Sequence, residues 1–116
     1  MSELEIAKII RDQMIRTVGA SVVMSWGTNS YRAIDSKTLK NLGIENSLGG
    51  LIFKVNGHHH KGEVIISLNG FDYYDVYICN IKGFEMELKS KQTNLAFYEF
   101  ADWIDKEVEY IPEYNF

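Results

Sequence analysis

The sequence predicts an α+β fold: a mainly antiparallel sheet of five to six strands, with N- and C-terminal helices packed on one face in two layers. Three observations carry this. Both ends of the chain have apolar residues at three- and four-residue spacing, the middle alternates with period two, and the alternating segments are joined by short turns. An amphipathic helix must bury its stripe, and the face of a sheet is the simplest partner. A chain of 116 residues with 46% hydrophobic and 13% aromatic content is enough for one domain, residues 1–116, around one core.

Ser2 and Glu5 form the S-x-x-E capping box that opens the first helix, and Ile6, Ile9, Ile10 and Met14 supply its stripe. Gly19 is suited to end it. In "ASVVMSW", Val22, Met24 and Trp26 alternate with Ser21, Val23 and Ser25, predicting a half-buried strand; "SYRAI" reads as its return. "DSKTLKNLG" predicts a short helix capped by Asp35 or Ser36 and stopped by Gly43.

Leu51, Phe53 and Val55 then alternate with their neighbours, and so do Val64, Ile66 and Leu68. Asn69-Gly70 predicts a two-residue type I′ hairpin turn. "FDYYDVYIC" follows with large side chains on both faces: Phe71, Tyr73, Asp75, Tyr77 and Cys79 on one, Asp72, Tyr74, Val76 and Ile78 on the other. Such a strand belongs in the middle of a sheet. After Lys82-Gly83, Phe84, Met86 and Leu88 are expected inside and Glu85, Glu87 and Lys89 outside. From about Asn94 a second helix is expected, with Phe97, Phe100, Ala101, Ile104 and Val108 as its apolar face, Leu95 and Trp103 flanking it, and Pro112 ending it.

Composition narrows the function. A single cysteine forms no internal disulfide, and the charged N-terminus and the lack of a long apolar run predict neither a signal peptide nor a membrane span. A cytoplasmic location is the expectation. Net charge is −4, concentrated in residues 98–116, where six acids face one base. Binding to phosphates needs clustered Lys and Arg, so direct nucleic-acid binding is not expected.

All three histidines lie in "NGHHHKG". In an extended loop His58 and His60 point the same way and are close enough to share a metal ion. A zinc site needs three or four ligands, however, and HExxH, CxxC and a second His cluster are all missing. The reading taken is a solvated loop with no metal or cofactor; the alternative is a metal-dependent enzyme or metal-binding protein that uses His58 and His60. Cys79 sits in a strand with no partner base in the sequence nearby and reads as a small buried hydrophobe. Asp72, Asp75, Glu85 and Glu87 form no recognisable acid pair, and the glycines form no phosphate loop.

Tyrosines and acids remain as binding candidates. Tyr73, Tyr74 and Tyr77 offer amphipathic contact area of the kind enriched in interfaces, as do Tyr98, Tyr110 and Tyr114. Glu99, Asp102, Asp105 and Glu109 fall largely off the apolar stripe of the last helix and make an acidic face suited to a basic protein. A self-assembling structural component, a homo-oligomer joined through sheet edges or a helix face, is the remaining alternative.

Val64, Ile66, Leu68, Asn69, Gly70, Asp72, Tyr74, Asp75 and Val76 spell V-x-I-x-L-N-G-x-D-x-Y-D-V. With "VGASVVMSW" before it and an amphipathic helix after it, this pattern resembles a family of small uncharacterised proteins of tailed phages and mobile genetic elements of gut bacteria. The resemblance covers roughly residues 18 to 116; the N-terminal helix and "DSKTLKNLGIEN" depart from it. It implies a mobile-element context and a fold, and carries over no catalytic residue. The function expected is therefore a non-enzymatic accessory protein that binds a host or phage protein in the host cytoplasm, with inhibition of a defence or nucleic-acid-handling system as a sub-case.

Overall fold

Helix α1 (Glu3–Val18) begins where its capping box predicts: Glu5 N donates to Ser2 Oγ (3.2 Å) and Ser2 N to Glu5 Oε1 (3.0 Å). The computed structural model describes residues 2–109; Tyr110, Pro112, Glu113 and Tyr114 lie outside the described residues. Ile6, Ala7, Ile10 and Met14 are buried, while Ile9 sits at the rim, 40% exposed.

The segment expected as a first strand is instead helix α2 (Ala20–Ser25), which starts directly after Gly19 at φ +90°. Six residues are too few to separate a period of two from one of 3.6. The core decides. Val23 and Trp26, three apart, are buried, whereas Met24 is 74% exposed. The sheet consequently has five strands, at the lower end of the expectation: β1 (Asn29–Ile34), β2 (Ser47–Asn56), β3 (Lys61–Asn69), β4 (Tyr74–Lys82) and β5 (Glu85–Leu95). They pair in sequence order, every pair antiparallel. Helix α3 (Ser36–Asn41), capped by Asp35 through Thr38 N at 2.7 Å, joins β1 to β2.

Alternation along the strands builds two apolar faces. Leu51, Phe53, Val55, Val64, Ile66, Tyr74, Val76 and Ile78 face α1, α2 and the last helix, α4 (Phe100–Val108). Ile52, Ile65, Tyr77 and Cys79 face the other way and meet Ile34, Leu39 and Ile44. The terminal helices thus share one face as expected, and α3 adds partial cover on the opposite face. This is why β4 is apolar on both sides. Gly50 marks how closely β2 and β3 approach, because a Cβ there would lie 2.1 Å from the Ile66 carbonyl oxygen.

Three boundaries differ from the sequence reading. The β3–β4 connection spans residues 70–73 and has positive φ at Asp72 (68°), not a type I′ turn at Asn69-Gly70, so Phe71 and Tyr73 lie in the turn and not in the strand. Phe84 occupies the β4–β5 turn and is 93% exposed; Leu88 is 44% exposed, and Met86 is half-buried. Strand β5 runs to Leu95, and α4 starts only at Phe100, leaving Phe97 outside its apolar face at 59% exposed. Among the described residues, no helix is long and apolar enough to cross a membrane.

Candidate functional site

The histidine loop, residues 57–60, packs against the C-terminus of α4. His58 N donates to Glu109 Oε1 (2.8 Å), and His58 Nδ1 lies 2.6 Å from Glu109 Oε2. His59 N donates to the Val108 carbonyl (2.8 Å), and the Lys89 ammonium donates to the His59 carbonyl. The loop thereby serves one of the carbonyls a helix end leaves unpaired. Gly57 is required for this contact, since a Cβ would stand 2.6 Å from Val108 O.

His60 is buried. Its Nε2 lies 3.0 Å from Cys79 O and 3.3 Å from Glu63 O, two acceptors that fix this nitrogen as the N–H donor. His58 and His60 therefore do not point the same way as expected; one ring pairs with Glu109, and the other is bonded to strand carbonyls. Among the described residues, no group of three or more His, Cys, Asp or Glu side chains is gathered for a metal ion.

Cys79 is fully buried, and burial, aided by the charge of its cross-strand neighbour Glu63, pushes its thiol from 9.0 up to about 12. The thiolate is the reactive form, so this sulfur is inert in the native state. A thiol-specific chromogenic reagent is expected to leave native protein unlabelled and to modify one equivalent in denaturant; rapid native labelling would overturn this placement. Because the native state keeps the proton that an unfolded chain loses near pH 9, stability should decline as pH rises from about 9 towards 12.

The tyrosines separate by position. Tyr74 is buried against Phe100, ring centroids 4.7 Å apart, and its hydroxyl donates to Gln13 Oε1 (2.6 Å). Burial, with a smaller contribution from Asp72, raises its pKa to about 12. Tyr77 belongs to the second core. Neither presents a contact surface, contrary to the expectation for Tyr74 and Tyr77. Tyr73 does, at 45% exposed.

The acids separate too. Asp105 Oδ1 accepts from Trp26 Nε1 (2.9 Å), and Glu109 is engaged by the histidine loop, so both hold the fold together. Asp102 is exposed in an i,i+4 pair with Lys106, and Glu99 uses Oε1 to accept from Ala96 N (2.8 Å), bracing the turn before α4.

What the structure brings together is Tyr73, Tyr98, Glu99 and Asp102, all binding candidates by sequence, with two aromatics that sequence places elsewhere, Phe71 and Phe97; Phe71, Phe97 and Tyr98 are 73%, 59% and 63% exposed. Phe71, Tyr73, Asn94, Ala96, Tyr98 and Glu99 line a concavity of about 510 Å³ between the β3–β4 turn and the β5–α4 connection. A second, of about 450 Å³, continues past Tyr98 and Glu99 to Asp102, Trp103 and Thr17. Phe97 and Tyr98 meet edge to face, centroids 5.3 Å apart.

A buried polar hub ties the two loops. Asn69, 3% exposed, accepts from Phe71 N (2.9 Å) and Tyr73 N (3.2 Å) through Oδ1. Its Nδ2 donates to Asp75 Oδ1 (3.0 Å) and Asn94 Oδ1 (2.9 Å), and Asp75 Oδ1 also accepts from Asn94 N (2.9 Å). Asn94 sits at φ +56° where the β4–β5 register shifts, so the bulge carries one loop and the hub fastens it to the other. The sequence signal for this end is two aromatic clusters, "FDYY" and "AFYE", each with an asparagine two residues before it.

No protein-family model matches the chain, and no curated protein or solved structure does.

Proposed function

We propose that this is a non-enzymatic binding protein that holds a basic protein partner stoichiometrically against the end of the sheet formed by Phe71, Tyr73, Phe97 and Tyr98. The observation that carries this reading is the exposure of four aromatic side chains on two loops fastened by one buried hub. Monomer surfaces rarely leave contiguous aromatic area to water without a use for it. A pre-ordered surface loses less entropy on binding than a floppy one. Glu99 borders the aromatics, and its charge favours a cationic partner; Asp102 lies beside it, paired with Lys106.

The phage and mobile-element resemblance, over roughly residues 18 to 116, supplies the context: a host or phage protein as partner, with inhibition of a defence or nucleic-acid-handling system as the most specific form. The test is affinity capture from host lysate with wild-type protein beside a Phe71→Ser, Tyr98→Ala variant. The expected result is one stoichiometric partner, weakened by salt and absent with the variant. Equal capture by both proteins would remove this end as the docking surface.

A further inference from the structure

We propose that the concavity lined by Phe71, Tyr73, Tyr98 and Glu99 receives the guanidinium of an arginine side chain on the partner; this deepens the docking reading above and rests on it. Three aromatic rings and one carboxylate share a single hollow of about 510 Å³. Aromatic faces carry negative quadrupole charge and attract a cation placed over them. Glu99 commits Oε1 to Ala96 N, which fixes the carboxylate in place and leaves its other oxygen for a ligand.

Other occupants fit worse. An anion meets Glu99 in the wall, with Asp72 exposed in the same turn as Phe71 and Tyr73. A purely apolar side chain would strip water from the Glu99 carboxylate and return no hydrogen bond. Between the two cations, the guanidinium is planar, weakly hydrated, stacks on rings and forks onto a carboxylate, whereas an ammonium is a strongly hydrated point charge. The same chain already makes one such contact, with the Arg11 guanidinium 5.0 Å from the centroid of the Tyr31 ring. The Asn69 hub holds the Phe71–Tyr73 turn to Asn94, two residues before Ala96 and four before Tyr98, so the hollow is pre-formed.

The experiment titrates isotope-labelled full-length protein with three otherwise identical Gly/Ser peptides carrying a central arginine, lysine or citrulline, the last being arginine's uncharged isostere. The arginine peptide is expected to give saturable shifts at the amides of Phe71, Tyr73, Ala96, Tyr98 and Glu99. The lysine peptide should bind several-fold more weakly and the citrulline peptide not measurably. Tyr98→Ala and Glu99→Gln should each weaken the arginine peptide about fivefold to tenfold. Tyr98 is solvent-exposed, and glutamine can still accept from Ala96 N, so both variants should keep a wild-type spectrum elsewhere.

The proposal is overturned if the arginine peptide gives no saturable shift, if lysine matches it, or if the shifts centre on Asp102 and Lys106 of α4. It is also overturned if a captured partner depends on Tyr98 yet still binds after all its arginines become lysines. That last outcome would leave the docking reading standing; a partner indifferent to Tyr98 would remove both.

Discussion

Asn69→Ala is expected to lower the stability of the folded protein by about 3 kcal/mol, a fall in Tm of about 10–15 °C for a domain of this size. The side chain makes four hydrogen bonds beneath the surface, two given and two received, and one of them goes to the carboxylate of Asp75. Truncation leaves Phe71 N, Tyr73 N and Asn94 Oδ1 short of a partner. It also takes one of the two donors to Oδ1 of a residue only 8% exposed. Buried polar groups left unpaired cost about 1–3 kcal/mol each, and partial hydration at the loop relieves some of this. Hydrogen exchange should localise the damage: the amides of Phe71, Tyr73 and Asn94 should lose protection well beyond the global change, while those of Val64, Ile66 and Ile78 should follow it. A loss below about 1 kcal/mol with those three amides still protected would mean the aromatic loops are held by something else.

The hub also shows where sequence reasoning stops. Asn69-Gly70 is the strongest local hairpin signal, and it predicted the turn at the right place but of the wrong kind. What outranked it is non-local: the Asn69 side chain reaches Asn94, 25 residues on, and the longer turn brings it there. Alternation identified β2, β3 and β4 without error in face, because opposite sides of a strand are fixed by its geometry. It did not say which tyrosines stay wet. Tyr77 is buried because α3 and Ile44 help cover a face that pattern alone left open, and Tyr74 because α1 brings Gln13 to its hydroxyl. Tyr73 and Tyr98 escape burial because each lies in a connection. The acids likewise read as one face by helical spacing, yet Asp105 and Glu109 bond to chain segments more than fifty residues away. Residue type was legible throughout; exposure was not, since it depends on which remote element arrives as cover.

Trp26→Ala should be the most damaging single truncation here, costing about 4 kcal/mol. Trp26 is fully buried at the end of α2, and its Nε1 donates to Asp105 across 79 residues of sequence. It therefore clamps the short helix to α4, and its carbonyl accepts from Asn56 N (2.8 Å) at the end of β2. Loss of ring volume and loss of the hydrogen bond are separable. Trp26→Phe keeps most of the packing and should cost about 2 kcal/mol, part of it from the Asp105 carboxylate left without its donor. Asp105→Ala should cost about 1.5 kcal/mol, and combining the two should give a coupling energy of about 1 kcal/mol in a double-mutant cycle read by chemical denaturation. Purely additive effects would deny the clamp. The same Asp105 variant bears on function: if this acid holds the fold and takes no part in docking, Asp105→Ala loses stability while a partner captured through Tyr98 stays bound at temperatures where the variant is folded. Loss of that partner from a fully folded Asp105 variant would instead extend the docking surface along α4, beyond the aromatic end. The salt sensitivity of capture would then arise from the whole acidic helix.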